Sequence, residues 1–196
     1  AVIARSYQAY NGCPVPGSPE YTYQDVNLPF SVPLSPVTAV EARAKKDGYI
    51  LFGYPRCPYC RNLLPVLAAV AESEGVTMDY CQIDLYRDIY AYSVDAAAPV
   101  QTRPAGGGDA ELLTWLDVYL AEYTVTDQNK NSIDVGEKRI GAPTIIKVVE
   151  GKPVSKWQLS DAAIFAAGYP KNKYAAWDDA TQQGVAASLR DYLAAG

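Results

Sequence analysis

The feature that most restricts the fold is a junction: the apolar run Tyr49-Ile50-Leu51-Phe52, then Cys57-Pro58-Tyr59-Cys60, then a long helical stretch. A short continuous apolar run between turn residues is the pattern of a strand buried on both faces. Helical spacing follows from about Pro58 to Glu74 and is closed by Gly75. The two cysteines therefore stand where a central strand hands over to a helix. Amides at a helix N-terminus lack partners and carry partial positive charge, which stabilises a thiolate at Cys57. Arg56 adds a neighbouring cation. Two intervening residues put Cys60 one turn further on, near enough to close a small disulfide. In this arrangement Cys57 is the exposed nucleophile, and Cys60 is the more buried thiol that resolves a mixed disulfide.

The rest of the composition narrows the chemistry. None of the 196 residues is histidine, which removes His-dependent triads and His-ligated metals. A net charge of -5 leaves nothing to neutralise a row of phosphates, so nucleic acid is not an expected partner. The longest apolar run, near Leu63 to Ala71, is about half of the roughly 18 residues that a membrane helix requires, so no membrane span is expected. Sixteen tyrosines, four cysteines and a charged fraction of 20% point to an exported, extracytoplasmic protein. A removed leader would also account for Met78 being the only methionine.

Residues 1–36 hold six of the fourteen prolines (Pro14, Pro16, Pro19, Pro29, Pro33 and Pro36) and read as an extended N-terminal arm. Residues 37–196 form the folded domain. Its first helix is expected to take Ser35 as N-cap and Pro36 as first helical residue, ending before Gly48. Val76 to Leu85 reads as a second strand. The segment 86–139 reads as an insertion built on a helix capped by Asp109, with Leu112, Leu116, Tyr119 or Leu120, and Tyr123 at helical spacing. Thr144–Val149 and Val154–Gln158 predict a hairpin across Glu150-Gly151-Lys152, and Asp178 to Ala194 an amphipathic helix. This order describes an α/β fold with a mixed central sheet flanked by helices.

A CxxC pair has other uses. It can be half of a zinc or iron–sulfur site, here completed by Cys13 and Cys81, or a static disulfide. Cys13 and Cys81 lack any partner spacing of their own, which favours redox chemistry.

Several positions beyond the cysteines resemble the thioredoxin-like superfamily. Pro65 lies five residues after Cys60, and Gln82-Ile83-Asp84 is similar to the end of that family's next central strand. Gly141-Ala142-Pro143-Thr144 resembles its cis-proline loop and precedes the expected hairpin. Within the superfamily, Phe52-Gly53-Tyr54-Pro55-Arg56-Cys57-Pro58-Tyr59-Cys60-Arg61 is most similar to the Gram-positive bacteriocin transport accessory proteins, and its CPYC motif is shared with glutaredoxins. The resemblance implies a thioredoxin-like fold, from which the helical insertion read before the cis-proline loop departs by exceeding the family's usual single helix. It implies thiol–disulfide exchange with cysteine-containing protein substrates and a redox partner protein, with no cofactor and no metal. It sets Ala142 and a cis Pro143 along an extended substrate strand, with Tyr59 and Arg56 tuning the thiolate and touching that strand. A binding module with a static Cys57–Cys60 bridge and a glutathione-dependent glutaredoxin are the alternatives.

Two departures from the family accompany the matches. The family's buried aspartate corresponds to Leu51 and its facing lysine to Tyr80, so a water or a carboxylate such as Asp84 must act as base. The even cysteine count allows a structural disulfide between Cys13 and Cys81, tying the arm to the sheet; in a reducing compartment Cys81 is a small buried core residue instead. Pro58-Tyr59 and Arg56 together point to an oxidant or isomerase more than to a strong reductase.

Overall fold

The computed structural model describes residues 10–15, 18–23, 26 and 33–195. Pro16 and Pro29 of the proline-rich arm lie outside these residues. In chain order the strands begin with β1 (Pro14–Val15), β2 (Ser18–Thr22), β3 (Leu34–Val37), β4 (Gly48–Gly53) and β5 (Met78–Gln82). They continue with β6 (Ile89–Ser93), β7 (Ala98–Arg103), β8 (Ala121–Thr126), β9 (Ser132–Arg139), β10 (Thr144–Val149) and β11 (Lys152–Gln158). The helices are α1 (Ala39–Arg43), α2 (Pro58–Ser73), α3 (Asp109–Leu116) and α4 (Asp179–Ala194).

Five strands make a mixed central sheet in the order β11-β10-β4-β5-β3. β4, β5 and β3 run parallel, while β10 is antiparallel to both β4 and β11. Strand alternation sorts the core into two layers. Tyr49 and Leu51 of β4, Tyr80 of β5, and Ile145 and Trp157 of the β10–β11 hairpin face α2 and α4. Ile50, Phe52, Cys81, Ile146 and Val148 face α1 and α3 on the other side. The protein is thus a sheet covered by helices on both faces, with β4 in its middle.

Local signals explain the regular elements. Thr38 accepts a hydrogen bond from the Glu41 amide at 3.2 Å while the Glu41 carboxylate accepts from the Thr38 amide at 2.7 Å, a capping box that starts α1. Cys57 caps α2 and Pro58 occupies its first turn, where a missing N–H costs nothing. Asp178 caps α4 by accepting from the Thr181 amide at 2.8 Å.

Two expectations are corrected. Ser35 and Pro36 do not open a helix; they lie in β3, paired in parallel with Asp79 and Tyr80. β3 is an edge strand, where proline's missing donor is tolerated. The insertion 86–139 is also not mainly helical. It comprises the antiparallel pairs β6–β7 and β8–β9 on either side of the two-turn α3. Asp109 is the first residue of α3 and Gly108, at φ +91°, holds the cap position. The helical spacing breaks after Leu116, because a 3₁₀ turn at Asp117–Tyr119 leads into β8 and places Tyr123 in a strand.

The N-terminal arm is anchored in the core. Tyr10 is fully buried, and its hydroxyl meets that of Tyr80 at 2.6 Å. The Arg61 guanidinium, itself buried, lies 4.4 Å from the centre of the Tyr23 ring and donates to the Pro55 carbonyl at 2.9 Å. These contacts seat the arm behind the loop that joins β4 to α2.

Candidate active site

Cys57 lies at the mouth of α2 in extended conformation, φ -79° and ψ 114°. That geometry turns its sulfur back over the first helical turn, where it accepts a hydrogen bond from the Cys60 amide at 3.3 Å. The same sulfur, as a thiol, donates to the Ala142 carbonyl at 3.5 Å. The Ala142–Pro143 peptide bond is cis. Thr144 then pairs with Phe52 at the end of β4, and its hydroxyl donates to the Gly141 carbonyl at 2.8 Å. Sheet pairing therefore brings together the CxxC and the Gly141–Thr144 loop, which are more than eighty residues apart.

The two sulfurs are electrostatically unequal. Cys57 is held below the usual thiol range, chiefly by the hydrogen bond from Cys60, against the opposing effect of burial. The amides of Cys60 and Tyr59 and the charge of Arg87 act in the same downward direction. Cys60 is pushed well up by burial first and by the Cys57 sulfur second. One thiol is prepared to ionise and the other to keep its proton.

The expected difference in exposure is corrected: Cys57 is 3% and Cys60 2% exposed. Tyr54, Tyr59 and Ala142 pack against the cluster that holds both sulfurs, so the helix mouth is covered. Tyr59 packs against Tyr169 with tilted rings whose centres are 5.2 Å apart, and the row continues through Phe165 to Trp177. Arg56 is exposed, and its backbone carbonyl accepts from the Tyr23 hydroxyl at 2.9 Å.

Cys13 and Cys81 do not form a disulfide. Cys81 is buried in the layer facing α1 and α3, whereas Cys13 lies on the opposite face, where it interacts with Arg61. The sheet separates them. Burial, with Asp109 nearby, raises the Cys81 thiol to about 12, so it keeps its proton at neutral pH. Among the described residues no three His, Cys, Asp or Glu side chains gather to hold a metal ion. None of the described helices is long and apolar enough to cross a membrane.

Behind the cysteines, Leu51 pairs with Tyr80 across β4 and β5, and both side chains are buried in the same cluster as the sulfurs. Gly53 ends β4 so close to Cys60 that an added Cβ would sit 3.3 Å from its sulfur and 3.5 Å from the Tyr80 ring. The paired hydroxyls of Tyr10 and Tyr80 lie on this side. Asp84 instead lines a hollow together with Arg56 and Arg87. Arg87, Tyr10 and Tyr169 have no mark in the sequence that ties them to the motif, since each reaches it only through tertiary packing.

Comparison of the chain with protein-family models, with curated proteins and with solved structures returns no match.

Proposed function

We propose that the protein is a thiol–disulfide oxidoreductase of thioredoxin-like type that acts on cysteines of other proteins. The observation that carries the reading is the opposite push on two cysteines one helical turn apart, with the Cys57 sulfur accepting from the Cys60 amide and meeting the carbonyl of Ala142 before the cis Pro143. In the reducing direction the Cys57 thiolate attacks a client disulfide, forms a mixed disulfide and releases one client thiolate, which takes up a proton. Cys60 then loses its proton and attacks the Cys57 sulfur. The second client sulfur leaves as a thiol, and the protein keeps the two-electron oxidised Cys57–Cys60 disulfide. Oxidation of a client dithiol is the reverse sequence, after which a redox partner restores the disulfide. Pro143 and the Ala142 backbone border the extended client strand, and Tyr59 and Arg56 flank it. No cofactor takes part.

Stabilising the Cys57 thiolate stabilises the reduced form, which favours an oxidant or isomerase working in an extracytoplasmic compartment. The test is a glutathione redox titration of the Cys57–Cys60 pair, combined with trapping by Cys60→Ala. A potential above thioredoxin's value of roughly -270 mV and mixed disulfides through Cys57 are expected. A potential at or below that value overturns the direction, and failure of Cys60→Ala to trap any client overturns the exchange reading.

A further inference from the structure

The two hairpins of the insertion meet the loop before Cys57 at a cluster of cations. Four of the chain's eight arginines, Arg56, Arg87, Arg103 and Arg139, line one open hollow of about 750 Å³ together with Tyr54 and Tyr123. A chain of net charge -5 thus places half of its guanidinium groups in a single place. Asp84 is the one carboxylate in the lining. The ion pairs among the described residues are Lys45–Asp79 and Lys138–Asp117, and neither includes these arginines. Three further carboxylates lie near without an ion pair to these arginines: the Asp88 charge favours the charged form of Arg139, the Arg87 and Arg139 charges act on the buried Asp109, and Glu137 accepts from the Tyr90 hydroxyl at 3.0 Å.

The arginines rest on rings and backbone. Arg87 lies 4.6 Å from the centre of the Tyr54 ring and Arg139 3.9 Å from that of Tyr123. Arg103 donates to the backbone carbonyls of Asp84 and Arg87. Arg139 is half-buried, and its charged form is disfavoured first by burial and then by the nearby Arg87 charge. Like charges drawn together and partly desolvated cost free energy that an anion between them would offset. A guanidinium held over an aromatic ring can still present N–H groups to a planar acceptor. The ligand that matches such an edge bidentately is a carboxylate. The hollow also adjoins the chemistry, because Tyr54 lines it and packs against the cluster that holds both sulfurs, and the Arg87 charge reaches Cys57 from it.

We propose that this hollow is an anion subsite for the client polypeptide, receiving Asp or Glu side chains that flank the client's reacting cysteine. The assignment rests on the thiol-exchange reading and adds to it the acidic character of the client. It accounts for the insertion as a recognition element standing beside the reactive pair.

The test uses short disulfide-bonded peptides that differ only in carrying Glu or Gln on each side of the cysteine. The wild-type protein should exchange the Glu peptide with about tenfold higher kcat/KM, expressed in KM, a factor worth about 1.4 kcal/mol. High salt should shrink that preference. Arg139→Gln should abolish most of it, and Arg139→Glu should reverse it towards a Lys peptide. Equal kcat/KM for the Glu and Gln peptides, or a preference that survives both Arg139→Gln and Arg87→Gln, overturns the subsite. Dependence on Arg139 shown by glutathione disulfide but by neither peptide overturns its assignment to a polypeptide. If neither peptide exchanges, anisotropy titration of cysteine-free versions with Ser at that position separates the two ideas. Tighter binding of the Glu version then upholds the subsite and removes the exchange reading, whereas equal binding overturns the subsite.

Discussion

Replacement of Asp109 by Asn should stabilise the protein, and by an amount that grows with pH. Asp109 opens α3 and is only 2% exposed. One of its carboxylate oxygens is buried without a hydrogen-bond partner among the described residues. The helix end is tightly seated, since a Cβ at Gly108 would lie 3.0 Å from the side chains of Ala39 and Val40. Burial, and secondarily the Asp88 charge, raises the acid from 3.8 to about 6, against the opposing charges of Arg87 and Arg139. A folded-state value above the unfolded one means that folding disfavours the ionised form. The penalty is absent below about pH 4, grows as pH rises towards 6 and is complete above it. At about 1.4 kcal/mol per pH unit of displacement, the full penalty is about 3 kcal/mol. Asn keeps the shape and carries no charge, so at pH 7.5 Asp109→Asn should gain up to ~3 kcal/mol, less whatever its buried amide costs. Urea unfolding of both proteins at pH 4 and pH 7.5 measures this directly. A variant no more stable than wild type at pH 7.5, or a difference equal at both pH values, would refute the reasoning.

Other perturbations probe how the site is held together. Tyr10→Phe and Tyr80→Phe should couple by ~1 kcal/mol in a double-mutant cycle, because both remove the same 2.6 Å hydroxyl contact; additivity in urea unfolding would mean that the arm is not held there. Asn62→Ala should cost ~1–3 kcal/mol and speed proteolysis near Lys171 and Lys173, since Asn62 donates to the Ala175 carbonyl at 3.0 Å and accepts from the Trp177 amide at 3.1 Å. Gly184→Ala, normally worth about 1 kcal/mol in a helix, should destabilise here, because its Cβ would fall 2.8 Å from that of Ile164; a raised thermal midpoint would contradict the packing of α4. Cys60→Ala should raise the Cys57 thiol, whose largest stabilisation is the hydrogen bond from Cys60; iodoacetamide rates against pH should show the profile moving to higher pH, and an unmoved profile would count against that bond.

The sequence by itself determined the elements whose causes are local. The buried run at Tyr49–Phe52, the helix opened by Cys57 and Pro58 and the helix capped by Asp178 follow from caps, periodicity and breakers within a few residues. The close approach of Cys57 and Cys60 has the same origin, because one helical turn sets it. Tertiary structure decided whatever depends on sheet faces and edges. Pro36 lies in a strand because an edge position beside β5 tolerates it, which no local signal reports. The two hairpins of the insertion are half-exposed on both faces, so their apolar alternation is too weak to read. Cys13 and Cys81 could be paired on paper, but strand alternation sends Cys81 to the far side of the sheet from Arg61 and Cys13. Arg56, adjacent in sequence, was the natural cation for Cys57, yet the charge acting on that sulfur belongs to Arg87, thirty residues away. Charge acts through space, and only the folded chain fixes which side chains share that space.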